Sequence, residues 1–176
     1  EGTHLIHNKW RLWFLPRPLT TNGFVRKVEE LDKKTLSFIK DGGATLVTVN
    51  EEIEGLPLHK SFFDAGGPFV PGHPIHEWVP AQMFKDLLAF DFERIPILCV
   101  KHLRDQIEPI VSRWDTHDLE CVNEYSHAFT AKIGKGRILV TSLNLDSIAG
   151  RWLETVFMDY LERGPAPKTV LTWPPY

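Results

Sequence analysis

The order of apolar and polar positions predicts a β-hairpin and a long helix in the last third of the chain. Apolar and polar side chains alternate over residues 129–133, as in a half-buried strand, and the Gly-Lys-Gly of residues 134–136 suits a tight reversal. The aliphatic run at residues 138–140 is typical of a strand buried on both faces. Apolar residues then recur at helical spacing over residues 149–163, and Gly-Pro at residues 164–165 ends the helix. A strand covered by the helix that follows it indicates an α/β core.

A second α/β unit is predicted nearer the amino terminus. Asp32 is a typical N-cap for a helix over residues 33–40, and the Asp-Gly-Gly of residues 41–43 ends that helix. A buried strand over residues 44–49 follows directly. Its carboxyl end, at residues 50–52, would lie at the sheet edge where doubly wound folds keep their ligand site. The predicted class is therefore α/β, with a mostly parallel sheet flanked by helices and a terminal hairpin.

The middle of the chain is predicted to contain only short elements. Prolines and glycines interrupt residues 55–80, so we expect an extended surface excursion there. A short helix is predicted over residues 80–88, and short strands over residues 97–100 and 107–114. The proline-rich tail at residues 165–176 is expected to pack back on the domain, because it carries apolar residues.

Residues 9–15 are predicted to form a strand that is apolar on both faces. Trp10, Leu12 and Phe14 would point to one side of it. Trp13 would point to the other side, so both faces are costly to expose to water. Such a strand is typical of an interface between layers or domains. The predicted interface residues are Trp10, Trp13 and Phe14, and we expect the segment to be the last strand of a preceding β domain.

Composition and charge narrow the range of partners. The chain is 43% apolar and 24% charged, as in ordinary globular proteins. Its net charge is −3 and it has no basic block, so neither nucleic acid nor an anionic membrane surface is expected as a partner. No apolar run approaches the ~20 residues of a bilayer span. Cys99 and Cys121 fit neither a disulfide framework nor a CxxC pair, so the compartment and their pairing stay open.

Candidate catalytic and metal-binding groups are few. Neither Cys99 nor Cys121 has the flanking glycines of a nucleophile elbow, and Cys99 is more typical of a small buried apolar residue. His73 and His76 have an i, i+3 spacing. However, Pro74 breaks the helix that would bring both rings to one face, so no metal site is predicted.

Two further groups of residues allow more than one interpretation. Asp115, His117 and Asp118 lie close together in the sequence and could serve acid–base chemistry or simply form a polar turn. Trp78 and Trp173 are candidates for stacking on a sugar, although packing is the default role of a tryptophan. No glycine spacing of a phosphate-binding loop is present, and no cofactor is predicted.

Three stretches in a fixed order resemble the far end of large family 2 glycoside hydrolases, the β-galactosidase and β-glucuronidase group. The stretches are Asn8-x-Trp10-x-Leu12-Trp13-x-x-Pro16, the helix ending at Gly42-Gly43 with its strand through Val49, and the run Ala-Lys-Ile-Gly-Lys-Gly-Arg-Ile-Leu-Val-Thr-Ser-Leu-Asn-Leu at residues 131–145. A His73-Pro74 turn ahead of Trp78 also resembles one in those proteins. Together the stretches span most of the chain.

The resemblance implies an α/β domain appended to an immunoglobulin-like β-sandwich. Such a domain is similar to flavodoxin-like class I glutamine amidotransferases and to the trimerisation domain of other β-galactosidases. Residues 1–18 would then be the terminal strand or linker of the sandwich, residues 19–164 the α/β domain, and residues 165–176 the tail. The amidotransferase cysteine elbow and His-x-Glu are not found in this sequence, and the glycosidase glutamates belong to a barrel that 176 residues cannot contain. No catalytic residue is therefore carried over.

The function that the resemblance implies is a non-catalytic accessory domain serving domain packing, oligomerisation or substrate placement. Its partners would be the preceding domains of the same chain, a second copy, or a carbohydrate, and the family favours a periplasmic or secreted location. Two other classes stay open. One is a carbohydrate-binding module working through Trp78 and Trp173, and the other is a free-standing small hydrolase or amidotransferase-like enzyme using Asp115, His117 or Cys99.

Overall fold

The computed structural model describes residues 9–16, 23–60, 67–93, 96–115 and 122–174. Within these ranges it contains a seven-stranded sheet. The strands are β1 (Val25–Val28), β2 (Ala44–Thr48), β3 (Leu58–His59), β4 (Ile97–Cys99), β5 (Glu108–Asp115), β6 (Asn123–Ile133) and β7 (Gly136–Thr141). The α-helices are α1 (Lys33–Lys40), α2 (Ala89–Phe92) and α3 (Ile148–Arg163), and short 3₁₀ helices lie at Pro74–Glu77, Ala81–Lys85 and Lys101–Leu103.

The sheet is mixed, so the predicted α/β class is confirmed in its general form. β1 pairs with β2, and β2 with β7, in parallel. The pairs β3–β4, β4–β6, β5–β6 and β6–β7 are antiparallel. The parallel arrangement that the sequence predicted is thus confined to β1, β2 and β7. Strands β5, β6 and β7 follow one another through short connections, which favours antiparallel neighbours because parallel neighbours need a long crossover.

The predicted local signals are confirmed at α1 and at the β6–β7 hairpin. The carboxylate of Asp32 accepts a hydrogen bond from the backbone N–H of Thr35 at 2.7 Å, which caps α1. Gly42 has a φ of +117° just after the helix. In the hairpin, Gly134 has a φ of +62°, and Ile133 pairs with Gly136 across the turn. Both turns therefore need a conformation that glycine adopts most easily.

Two apolar clusters cover the two faces of the sheet. Leu46 of β2 packs with α3, while its neighbour Val47 packs with α1. Because successive strand residues point to opposite faces, α1 and α3 lie on opposite sides of the sheet. The tail joins the α1 side, where Leu171 is buried and its backbone N–H donates to the carbonyl oxygen of Lys132 at 2.8 Å. Leu171 and Trp173 of the tail therefore pack against the α1 side of the sheet.

A β-bulge interrupts the pairing of β5 with β6. Val111 pairs with Ala128, and the next residue of β5, Ser112, pairs with Ser126. His127, between these two β6 residues, is therefore the extra residue of the bulge. An opposite shift between Pro109 and Val111 restores the register. Bulges of this kind change the direction of a side chain, and here the His127 ring contacts Arg113 of β5.

The aromatic segment at residues 9–16 pairs with no strand among the described residues, and its assignment as the last strand of a preceding β domain stays a prediction. The predicted division of its faces holds. Trp13 and Leu15 pack against the cluster on the α3 side, whereas Trp10, Leu12 and Phe14 are exposed. Other parts of the predicted linker, residues 1–8 and 17–18, lie outside the described residues.

Candidate functional site

A groove of about 290 Å³ runs between the aromatic segment and the short helices of the middle region. Residues 9–11 form one wall, and residues 84–87 together with the first two residues of α2, Ala89 and Phe90, contribute to the opposite side. Glu93, Asp86 and Arg113 are buried charged side chains of its lining, with about 10%, 17% and 18% of their surface exposed. The groove therefore combines an open aromatic mouth with a charged interior.

Asp86 fixes the aromatic segment to the body of the domain. Its carboxylate accepts hydrogen bonds from Trp13 Nε1 at 3.0 Å, Arg11 Nη1 at 3.0 Å and Gln82 Nε2 at 2.9 Å. The hydrogen bond from Gln82, followed by those from Trp13 and Arg11, lowers the pKa of Asp86. The ionised carboxylate is thus a common acceptor that holds residues from two separate parts of the chain.

A buried charge network borders the groove. Arg113 Nη2 donates to Glu93 Oε2 at 2.5 Å, and Arg113 Nε donates to His127 Nε2 at 3.1 Å. Because Nε2 of His127 accepts, the proton of its neutral imidazole lies on Nδ1. Burial, reinforced by the charge of Arg113, lowers the pKa of His127 to about 3. His127 is therefore neutral near pH 7 and positions the guanidinium group, whose charge Glu93 balances.

His73 belongs to a second buried cluster, which holds the proline-rich excursion onto β6. Its Nδ1 accepts from the backbone N–H of Ile75 at 3.1 Å, so Nε2 carries the proton and donates to Thr130 Oγ1 at 2.9 Å. Burial lowers the pKa of His73 to about 4. The ring also lies 5.6 Å from that of Tyr160, measured between centroids. Both ring nitrogens are occupied, so His73 has a structural role here.

The histidine pair considered for metal binding is not arranged as a ligand pair. The rings of His73 and His76 are 6.3 Å apart between centroids and inclined at 77°. His76 Nδ1 lies 3.2 Å from the carbonyl oxygen of Val79, as a hydrogen-bond donor would. In the described part of the chain, no group of three or more His, Cys, Asp or Glu side chains could hold a metal ion.

The two tryptophans considered for sugar stacking lie on opposite faces of the sheet. Trp78 packs on the α3 side, where its Nε1 donates to Asp159 Oδ2 at 3.1 Å and its ring meets Tyr160 edge-on at 5.3 Å. Trp173 packs on the α1 side, beside Glu52 and other carboxylates. The structure therefore does not bring Trp78 and Trp173 together on one platform.

The residues considered for an independent active site are only partly described. Burial raises the pKa of the half-buried Cys99, which keeps its thiol protonated and a poor nucleophile. Asp115 accepts a hydrogen bond from Tyr125 Oη at 3.2 Å. His117, Asp118 and Cys121 lie outside the described residues, so the question of a Cys99–Cys121 pair lies there too.

The carboxyl edge of the parallel strands holds a small cavity and wider hollows. β2 and β7 end side by side, with Thr48 opposite Thr141, and the adjoining cavity of about 30 Å³ touches Asn50 and Asp146. This volume is close to that of one water molecule, about 30 Å³. Hollows of about 560 Å³ and 290 Å³ also lie beside the ends of β1 and β2, and their charged lining, which includes Glu30 and Asp32, is mostly acidic. The groove beside the aromatic segment is therefore distinguished by its buried ion pair and not by its volume.

No family model and no curated protein matches this chain. Among the helices of the described residues, none has the length and apolar character needed to cross a membrane. The candidate site consequently rests on geometry, and its key polar residues, Asp86, Glu93, Arg113 and His127, were not singled out from the sequence. One signal did exist, because an inward-facing Trp13 needs an acceptor for its indole N–H. It does not indicate which carboxylate supplies that acceptor.

Proposed function

We propose that this chain is a non-catalytic accessory domain of a glycoside hydrolase, and that its aromatic segment packs against another domain of the same enzyme. The observation that carries the proposal is the exposure of one face of that segment. Trp10, Leu12 and Phe14 are 69%, 78% and 91% exposed, while Trp13 on the other face is anchored by its hydrogen bond to Asp86. The exposed side chains are thus displayed on a fixed support.

The energy available from covering this face is substantial. Full burial of a large apolar side chain contributes about 1.5–3 kcal/mol, so Leu12 and Phe14 together offer up to about 6 kcal/mol before the costs of association are subtracted. A covalently connected neighbour loses less translational and rotational freedom than a separate molecule. The preceding β-sandwich implied by the resemblance is therefore the partner that fits this surface best.

The arrangement of β1, α1, β2, β7 and α3 supports the finer part of the proposal. Parallel strands with helices on opposite faces are the basic unit of a flavodoxin-like or amidotransferase-like sheet. In this proposal β3 to β6 are an antiparallel extension of that unit. The three stretches that resemble family 2 enzymes fall on the aromatic segment, on the end of α1 with β2, and on the hairpin leading to α3.

Sequencing outward from the codon of Glu1 tests the proposal first, and a reading frame with a β-sandwich and a barrel upstream is the expected result. Hydroxyl-radical footprinting of that longer protein and of the 176-residue chain then tests the contact. We expect labelling of Leu12 and Phe14 to fall in the longer protein. Phe24, which directly precedes β1, is 74% exposed and is the matched control. Its labelling should be equal in the longer protein and in the 176-residue chain. Equal labelling of Leu12 and Phe14 in both proteins would overturn the proposal.

A further inference from the structure

The groove beside the aromatic segment has ring surfaces at its mouth. Trp10 contributes one indole and Phe90, the second residue of α2, contributes a phenyl ring that is 80% exposed. Exposure of these aromatic rings to water beside a concave surface is unfavourable, and a ligand that covers the rings removes this cost. The C–H face of a pyranose ring is a suitable cover, because it is apolar while the edge of the same ring carries hydroxyl groups.

The charges in the groove favour an acidic ligand. Four cationic and two anionic side chains line it, whereas the chain as a whole has a net charge of −3. Both carboxylates are already paired, Asp86 with Arg11 and Glu93 with Arg113. The two remaining cations are Lys9 and Lys85. Neither pairs with a carboxylate among the described residues, so an incoming anion would meet an excess of positive charge.

The carboxylate of Asp86 is already saturated by hydrogen bonds from the protein itself. A carboxylate has about four lone-pair sites that can accept hydrogen bonds. Hydrogen bonds to such a charged group are stronger than those between neutral groups. Gln82 and Arg11 donate to one oxygen of Asp86, and Trp13 and Arg11 donate to the other, so an acidic ligand would interact with Lys85 rather than with this carboxylate. The groove volume of about 290 Å³ lies at the lower end of the ~300–1,000 Å³ typical of ligand sites, which suits one or two sugar rings.

We propose that this groove binds a saccharide carrying a carboxylate group, of the uronic acid type, with its ring between Trp10 and Phe90 and its carboxylate near Lys9 and Lys85. The choice of a saccharide rests on the proposed function as a glycosidase accessory domain. The groove lies at the edge of the surface formed by Leu12 and Phe14, so a bound saccharide would be held at a domain boundary, where ligand sites are common.

The experiment is an NMR titration of the 176-residue chain with digalacturonic acid, followed through the indole N–H signals, with neutral galactobiose as the matched ligand. We expect the Trp10 signal to shift with digalacturonic acid, and the affinity to fall by about tenfold or more in Trp10→Ala, Phe90→Ala and Lys85→Gln. Phe24→Ala and Lys135→Gln, which change exposed residues away from the groove, should bind like the unmodified chain. Higher salt should weaken binding, because the lysines are exposed.

Three results would overturn this inference. They are the absence of any Trp10 shift at millimolar digalacturonic acid, equal affinity for galactobiose, and an equal loss of affinity in the control variants. The footprinting of Leu12 and Phe14 tests the domain contact, whereas the NMR titration tests the groove. A titration that succeeds while footprinting fails refutes the domain contact and keeps the groove, and the reverse outcome refutes the groove alone.

Discussion

Two buried histidines should make the folded chain sensitive to mild acid. Burial lowers the pKa of His127 to about 3 and that of His73 to about 4, from an ordinary value of 6.5. Because both values are depressed in the folded state, the unfolded chain binds protons first as the pH falls. The stability associated with the neutral rings is therefore complete above pH 6.5, and it is lost progressively as the pH falls towards the folded-state values.

The size of the effect follows from these values. One pKa unit corresponds to about 1.4 kcal/mol. At pH 5, about 1.5 units below the unfolded-state pKa, each histidine should have lowered the free energy of unfolding by about 2 kcal/mol relative to pH 7.5. The pair should lower it by about 4 kcal/mol, out of a typical total of ~5–15 kcal/mol. Glu124 acts in the opposite direction, because burial raises its pKa, so the contribution of His127 is isolated by comparing variants.

The assay is urea unfolding followed by tryptophan fluorescence at pH 7.5 and pH 5. We expect the loss of unfolding free energy between the two pH values to be about 2 kcal/mol smaller in His127→Gln than in the unmodified chain. His127→Gln will also be less stable at pH 7.5, since it changes the acceptor for Arg113, but only the difference between pH values matters. His102 is exposed, so His102→Gln is the matched control and should behave like the unmodified chain. Identical losses in the unmodified chain and His127→Gln would refute the reasoning.

Three further predictions concern stability and the attachment of the aromatic segment. Glu93→Gln removes the carboxylate charge that faces the buried guanidinium of Arg113. This change should lower the free energy of unfolding by about 3 kcal/mol in urea titrations, and the loss should be smaller in an Arg113→Met background. Gly136→Ala places a Cβ 2.0 Å from a backbone carbonyl oxygen of α1 and should cost about 3 kcal/mol, whereas Gly72→Ala, with open space around it, should cost far less. Trp13→Phe removes one donor to a carboxylate, so hydrogen exchange of residues 9–16 should accelerate several-fold, and unchanged exchange would contradict the anchoring role.

The elements that sequence predicted well have local causes. The N-cap of α1 depends on Asp32 and Thr35, three residues apart, and its end depends on a glycine that takes a positive φ. The β6–β7 hairpin likewise depends on Gly134. Gly136 shows where this reasoning is incomplete. Its role is not a turn conformation but the close approach of backbone carbonyl oxygens, those of Ile39 in α1 and of Gly43 just before β2, which only the tertiary structure reveals.

The parts that sequence did not predict depend on distant partners. Periodicity identifies β4 as a strand but does not say that it pairs antiparallel with both β3 and β6. For residues 9–16, the alternation of side chains correctly predicts which of them face the domain and which are exposed. It does not determine whether the segment pairs with another strand. In the candidate site, Asp86 and Arg11 are 75 positions apart in the sequence, so no local pattern could join them.

The position of β7 also affects how the chain reaches its fold during synthesis. β7 is the last of the described strands to be made, yet it lies between β2 and β6 in the sheet. Until it leaves the ribosome, both of these strands keep an open edge, and such edges pair readily with other chains. A chain that stops before residue 136 should therefore aggregate rather than form a smaller stable domain, which makes completion of the carboxyl-terminal third a condition for solubility.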